Sequence, residues 1–317
     1  MSESRLPLLR RFPGLAALPR VRLANLPTPV YAADSLATGL WIKRDDLAGE
    51  PFGGNKLRAL EFLLGAVREG DRIVTVGSMG STHALATAIY ARGLGARVSV
   101  FRWPQEMNAD ADRVAKRIAT AADRSPRSRS LPGAYLRAIV ERLRGARWIP
   151  AGGSTPVGVL GHVNAALELA EQIAHRELPA PRRIIVPLGS GGTAAGLALG
   201  SSIAGLDTEI IAVRVAPRVI ANRQRVMRLT RKTAKLIQQH AGVPVAEPPG
   251  GMLRVIHDFY GGAYGRPSAA GTSAAQRARA ASIIVDATYT AKSLAAAFRV
   301  VAAEGPTLFW LSFDGRG

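Results

Sequence analysis

Gly53-Gly54-Asn55-Lys56-Leu57-Arg58 lies between a short apolar-to-charged run, Trp41-Ile42-Lys43-Arg44-Asp45-Asp46-Leu47, and the stretch Ala59-Leu60-Glu61-Phe62-Leu63-Leu64, whose apolar spacing is helical. Two adjacent glycines let the backbone turn sharply with no Cβ in the way. Lys56 then stands at a helix start, where the peptide dipoles add positive potential and weaken the amine's preference for its charged form. That environment suits a lysine that must act as a nucleophile and form a Schiff base.

Outward from this turn, strands and helices alternate. Residues 1–30, rich in proline and leucine, read as an extended arm. Strands are expected at 72–77, 97–101, 146–149, 183–188 and 209–215. Helices are expected near 83–92, 109–122, 134–144, 158–175 and 193–204. The alternation predicts an α/β protein with largely parallel sheets. It falls into two blocks, which predict a smaller α/β domain over 59–156 and a larger cofactor-binding domain from 1–58 and 157–317.

A second glycine turn, Gly189-Ser190-Gly191-Gly192-Thr193, follows the 183–188 strand and opens the next helix. Such a loop offers several backbone N–H groups and a helix N-terminus to one anion, and Ser190 and Thr193 add hydroxyls. A phosphate is the natural guest. The loop also fits the dinucleotide fingerprint loosely, as Gly189-x-Gly191-x-x-Ala194. That fingerprint wants an acidic residue at the end of the next strand, where this chain has Arg214 and Arg218, so NAD is disfavoured. A reactive lysine at one turn and a phosphate cradle at the other imply pyridoxal phosphate.

Composition narrows the alternatives. The chain has 317 residues, 47% of them hydrophobic, enough for a substantial core. Cysteine is absent, which excludes disulfides, thiolate metal sites and a cysteine nucleophile. Five histidines without close spacing argue against a zinc site, and no metal is expected. The stretch from Met1 to Arg10 has too short an apolar core for a signal peptide, and no run reaches membrane-spanning length. We read the chain as soluble and cytoplasmic. The net charge of +19 is mostly arginine, spread along the chain, with one dense run at Arg124-Ser-Pro-Arg-Ser-Arg129. No aromatic residues interleave with that run, which disfavours nucleic acid as the partner.

Seven segments together carry a resemblance over most of the chain. They are Leu26-Pro27-Thr28-Pro29, Ile42-Lys43-Arg44-Asp45-Asp46, Phe52-Gly53-Gly54-Asn55-Lys56, Gly152-Gly153-Ser154, Gly189 to Thr193, Ala263-Tyr264-Gly265 and Asp286-Ala287-Thr288-Tyr289-Thr290-Ala291-Lys292. The sequence resembles the pyridoxal-phosphate enzymes of fold type II, which are tryptophan synthase β-like, with mostly parallel twisted sheets flanked by helices. Within them it is similar to the branch of 1-aminocyclopropane-1-carboxylate deaminase and D-cysteine desulfhydrase. The resemblance implies that Lys56 is the Schiff-base lysine, with Asn55 beside it, and that Gly189, Ser190, Gly191, Gly192 and Thr193 hold the phosphate. It implies that Ser81 is catalytic and, with Thr82 and His83, meets the substrate carboxylate. Thr82 stands where the family's asparagine reaches the cofactor, and Tyr264 and Tyr289 line the substrate side. For His83 a structural hydrogen bond is expected over proton transfer. Asp45, Asp46 and Lys292 read as supports. A small amino-acid substrate and a homodimer are implied as well.

The resemblance places Thr290 opposite the pyridine nitrogen, where the deaminases carry glutamate and the desulfhydrases threonine. A carboxylate there keeps the nitrogen protonated and the ring a stronger electron sink. A hydroxyl does not, which favours β-elimination over the harder opening of a cyclopropane. The expected activity is therefore elimination from D-cysteine or a similar β-substituted amino acid, with 1-aminocyclopropane-1-carboxylate deamination and a homologue that binds pyridoxal phosphate or an amino acid without turnover as the alternatives. The chain departs from the family pattern at Gly80-Ser81-Thr82-His83, in place of Gln-Ser-Asn, and at Leu311-Ser312-Phe313-Asp314-Gly315, in place of His-Thr-Gly-Gly. Gly80 is expected to remove a side chain from the pocket wall.

Overall fold

The computed structural model describes residues 6–301 and 305–315. Met1 to Arg5, part of the N-terminal stretch read above, lie outside them. The arm is not extended throughout: Pro7–Arg11 form a short helix, α1, with proline in its first turn, where a missing N–H costs nothing. Leu8 of α1 is fully buried, and its N–H is held by Asn164 Oδ1 at 3.1 Å.

Strands β1 (Val30–Ala32) and β2 (Leu40–Arg44) precede helix α2 (Lys56–Leu63). A small parallel sheet then forms in the order β4-β3-β5, from β3 (Arg72–Ser78), β4 (Arg97–Trp103) and β5 (Arg147–Ile149). Its helices are α3 (Thr82–Gly93), α4 (Ala109–Ala121) and α5 (Leu131–Leu143). Helix α5 begins three residues before the expected start at 134, because Ser130 caps it by accepting from Gly133 N and Pro132 fits the first turn. A long helix α6 (Pro156–Ala174) leads to β6 (Arg183–Leu188), α7 (Gly192–Ala204), β7 (Glu209–Arg214), α8 (Arg223–Ala241), β8 (Leu253–Ile256), α9 (Ala269–Ala280), α10 (Thr290–Val300) and β9 (Thr307–Leu311).

The larger sheet has the order β1-β2-β9-β6-β7-β8 and is parallel except for the β1–β2 pair. Every residue of β9 is buried, as befits a central strand covered by helices on both faces. Both sheets point the C-terminal ends of their strands at one space, and ligand sites of open parallel sheets form at such ends. The α/β class and the parallel pairing agree with the sequence reading.

Beneath this space a closed set of charges ties α2, β2 and α6 together. The Arg58 guanidinium donates to Asp45 Oδ1 at 2.7 Å and to Glu168 Oε2 at 2.9 Å, while Lys43 Nζ donates to Glu168 Oε1 at 2.6 Å. All four side chains are buried, and two cations against two carboxylates leave no net charge there. Asp45 also accepts from Trp310 Nε1 at 2.7 Å, and its backbone oxygen accepts from Gly54 N at 2.9 Å. Asp45 braces the lysine turn, as expected. Among the described residues, no helix is long and apolar enough to cross a membrane.

Candidate active site

A cavity of about 450 Å³ opens at the converging strand ends. Lys56 reaches its wall from the first turn of α2. The turn before it is built by Gly54, whose φ of +99° favours glycine and whose absent Cβ would sit 2.9 Å from the Ser312 carbonyl oxygen. The C-terminal segment holds the same turn: Asn55 N donates to Ser312 O at 3.1 Å, and Gly53 N to Asp314 Oδ2 at 2.6 Å. Burial lowers the Lys56 pKa to about 8, only partly opposed by the negative charge of Asp45. Desolvation thus acts in the direction read from the sequence, favouring the neutral amine.

The glycine loop faces the lysine. Gly191 has φ +96° and starts α7 without a side-chain cap of its own, so beyond the Gly192 N–H the next N–H groups of the first turn are left for another acceptor. Gly192 N donates to Ser154 Oγ at 3.2 Å, and Ser154 Oγ donates to Ser190 Oγ at 2.7 Å. A Cβ on Gly152 would lie 2.1 Å from Ser190 Oγ, so the cradle closes only around glycine. Asn55 Nδ2 donates to Thr193 Oγ1 at 2.8 Å, which joins loop and lysine turn. Hydroxyls, free helix N–H groups and no carboxylate make a donor set suited to a phosphate dianion. These residues fit pyridoxal phosphate: the loop would hold the phosphate, Lys56 the aldehyde.

Opposite stand Ser81, Thr82 and His83 at the start of α3. Ser81 is the N-cap, and its Oγ accepts from Ala84 N at 3.2 Å, which leaves its own hydrogen free to donate. Burial and the charge of Lys56 hold His83 down to about 3, so it is neutral near neutral pH. Tyr264 and Tyr289 close the far side with their hydroxyls in contact and rings edge to face, centroids 6.0 Å apart. Burial pushes both phenols up, Tyr289 furthest, so both keep their protons. Asp286 positions this strip by accepting from the N–H groups of Thr288, Tyr289 and Thr290 at 3.0, 2.8 and 2.8 Å. Lys292 is buried and donates to Tyr260 O at 2.7 Å, a support as expected.

Two expectations need correction. Thr290 is fully buried behind the wall, and its hydroxyl donates to Asp286 Oδ1 at 2.6 Å. It does not face the cavity; the hydroxyl at the wall beside the C-terminal segment belongs to Ser312. Gly80 does not widen the pocket either. A Cβ there would meet Ala111 Cβ at 2.6 Å, so the glycine answers to the packing of α4. The sequence reading gave no role to Ser154, Ser312, Trp103, Tyr135 or Arg225, all of which line the cavity. Ser154 stands inside a quoted motif and Ser312 inside the Leu311–Gly315 segment; Trp103, Tyr135 and Arg225 carry no local signal. Among the described residues no Asp or Glu lines this cavity.

The family described as "Pyridoxal-phosphate dependent enzyme" matches residues 21–307. The chain is 38% identical to the nocardicin C-9' epimerase of Nocardia uniformis subsp. tsuyamanensis, over 93% of each chain. It is 32% identical to the D-cysteine desulfhydrase of Salmonella choleraesuis (strain SC-B67), over 93% of this chain and 94% of that one. A solved structure of an ACC deaminase homologue superposes with a TM-score of 0.80 at 28% identity, covering 98% of this chain and 95% of the other. A lysine turn, a phosphate cradle and a match over nearly the whole length agree: the chain belongs to the pyridoxal-phosphate dependent enzymes.

Proposed function

We propose that this enzyme is a lyase that carries out β-elimination on D-cysteine or a similar β-substituted amino acid, releasing a keto acid and ammonia. The observation that carries this reading is a cavity wall with a desolvated lysine, two protonated tyrosines and no carboxylate. Without a carboxylate to protonate the ring nitrogen, loss of a good leaving group is favoured over opening of a cyclopropane, so 1-aminocyclopropane-1-carboxylate is the lesser candidate.

Bound pyridoxal phosphate supplies an aldehyde for the substrate amine and a ring that takes up the electron pair left at Cα. Lys56 takes the α-proton; an amine near pKa 8 has a useful neutral fraction at neutral pH. Ser81, Thr82 and the N–H groups at the start of α3 hold the substrate carboxylate. Asn55, Ser190 and Thr193 would hold the phosphate end, and Ser312 would supply a hydroxyl at the ring. Tyr264 or Tyr289 gives its proton to the departing β-substituent. For D-cysteine the C–S bond breaks, and the sum is D-cysteine plus water to pyruvate, hydrogen sulfide and ammonia. In this reading residues 59–156 form the smaller domain, which carries the carboxylate loop, and 1–58 with 157–317 the larger one. The enzyme works as a cytoplasmic homodimer.

A second reading is epimerisation, with the α-proton returned to the opposite face and no bond to the β-substituent broken. It is supported by the cavity's outer half, where Trp103 and Tyr135 stack at 6.1 Å and Leu131 and Arg225 stand at the wall, more room than cysteine needs. The 38% identity to an epimerase points the same way.

Visible absorbance of wild type beside Lys56→Ala, followed by D-cysteine, L-cysteine and 1-aminocyclopropane-1-carboxylate in turn, tests the proposal. Yellow wild type that makes pyruvate and sulfide from D-cysteine supports it. Exchange of the α-hydrogen with deuterium oxide and loss of optical purity, without keto acid, would replace it by the second reading.

A further inference from the structure

The dense basic run noted in the sequence is not a free loop. Residues 124–128 run parallel to β4 as an added edge, with Val100 N donating to Arg124 O at 2.8 Å, Arg102 N to Pro126 O at 3.1 Å and Ser128 N to Arg102 O at 2.7 Å. Between this edge and α4 lies a second cavity, of about 540 Å³. Arg102 forms one side of it. Only 5% exposed, its guanidinium gives all its recorded hydrogen bonds to neutral acceptors: Ser125 O at 2.6 and 3.1 Å, Ser125 Oγ at 3.2 Å and Ala115 O at 3.2 Å. Among the described residues no carboxylate stands within ion-pair distance of it.

Lys116 and Arg127 stand at the same cavity, against a single carboxylate, Asp112. Burial and the Arg127 charge both lower the pKa of Arg102, the response of a cation short of a counter-ion. Ser128 is 6% exposed, lines the cavity, and its Oγ has no hydrogen-bond partner. A buried hydroxyl without a partner costs free energy unless something completes it. Met79 and Met107 give the rest of the wall an apolar, adaptable surface.

We propose that this second cavity is a binding site for a small organic oxyanion with an apolar body, its anionic end held by Arg102, Lys116, Arg127 and the Ser128 hydroxyl. The site is separate from the phosphate cradle of Gly189 to Thr193, yet Gln105 borders both cavities. Gln105 Oε1 accepts from Gly80 N at 3.1 Å, one residue before Ser81. An occupant that moves Gln105 would shift the segment that carries Ser81, and the coupling to activity rests on the role proposed for that residue above.

The test is calorimetric titration of the cofactor-saturated protein with phenyl phosphate, phenylacetate and neutral benzyl alcohol, at about 0.15 M salt to screen diffuse attraction to a basic surface. Saturable one-to-one binding of an anion, not abolished by a saturating amino acid in the first cavity, is expected, and benzyl alcohol should not bind. Tighter binding of phenyl phosphate assigns a phosphate ester; tighter binding of phenylacetate assigns a carboxylate. Arg127→Ser should weaken the anion about tenfold, as expected for loss of a charged hydrogen-bond partner. Ser128→Ala should weaken it too while leaving the melting temperature unchanged or raised, since it removes an unsatisfied group. No saturable binding of either anion, or binding equal in Arg127→Ser, overturns the site. Binding that leaves the rate constants of turnover untouched overturns the coupling through Gln105.

Discussion

The side-chain amide of Asn55 donates to Thr193 Oγ1 at 2.8 Å across 138 residues of chain. One hydrogen bond therefore sets the distance between the amine that would meet the cofactor's aldehyde and the loop that would hold its phosphate. Asn55→Ala and Thr193→Val each release the two turns, and each should weaken pyridoxal phosphate about tenfold, the scale of one lost polar contact in a buried site. Titration of the apoprotein by visible absorbance measures this. If the two residues act through their mutual bond, the double variant costs little more than either single one; full additivity would sink that account.

Lys56 must be neutral to attack an aldehyde, and its pKa is about 8 instead of the ordinary 10.5 because the amine is buried. A lowered amine pKa puts the reactive form within reach as pH rises through 8. The rate of cofactor incorporation into apoprotein should climb with a midpoint near that value and level off above it. Stopped-flow absorbance from pH 6 to 10 reads it; a midpoint near 10 would show that the amine is solvated.

The residues that proved local in their logic were legible in the sequence. Glycine turns with polar neighbours announce themselves, so the Gly53–Lys56 turn and the Gly189–Thr193 loop, which meet at one cavity, are legible, and the strand–helix alternation discloses the parallel sheets. Beyond Ala216 no element was placed. The strand Thr307–Leu311 is buried at every position and shows no alternation, and it takes its place beside Leu40–Arg44 from the other end of the chain. Thr290 was misplaced because a motif position does not say on which side of a cavity wall a residue stands. There the competing demand was local: Asp286 uses the threonine hydroxyl to close the first turn of the 290–300 helix.

Glu168 carries a prediction about stability. Burial alone would raise its pKa, but Arg58 and Lys43 overcome that and hold it near 2, below the ordinary 4.5. A carboxylate depressed in the folded state stabilises fully above its unfolded pKa and less as pH falls toward the folded one. Its contribution should therefore fade between about pH 4.5 and 2. Glu168→Gln leaves Asp45 as the lone carboxylate against two buried cations, and should cost about 3–5 kcal/mol at neutral pH, typical for a broken buried pair. Urea denaturation at pH 7 and pH 3 checks both: the gap between wild type and variant must narrow in acid.

Gly80 tests whether packing or pocket volume keeps that position small. If it widened the cavity, alanine there would narrow the substrate range and leave stability unchanged. The structure puts the missing Cβ 2.6 Å from Ala111 Cβ and 2.7 Å from Ala111 Cα, so Gly80→Ala must push the 109–121 helix away or shift the segment before Ser81. Overpacking of this kind costs about 1–3 kcal/mol. The same shift would strain the hydrogen bond from Gly80 N to Gln105 and misplace Ser81, so turnover should fall with stability. Ala111→Gly removes the nearer of the two clashing atoms. Combined with Gly80→Ala it should restore part of the activity, less the roughly 1 kcal/mol that glycine costs inside a helix. Thermal unfolding and steady-state rates of the three variants decide the matter: rescue in the double variant requires contact between the two positions, while a Gly80→Ala protein of unchanged stability and narrowed substrate range would return Gly80 to the pocket wall.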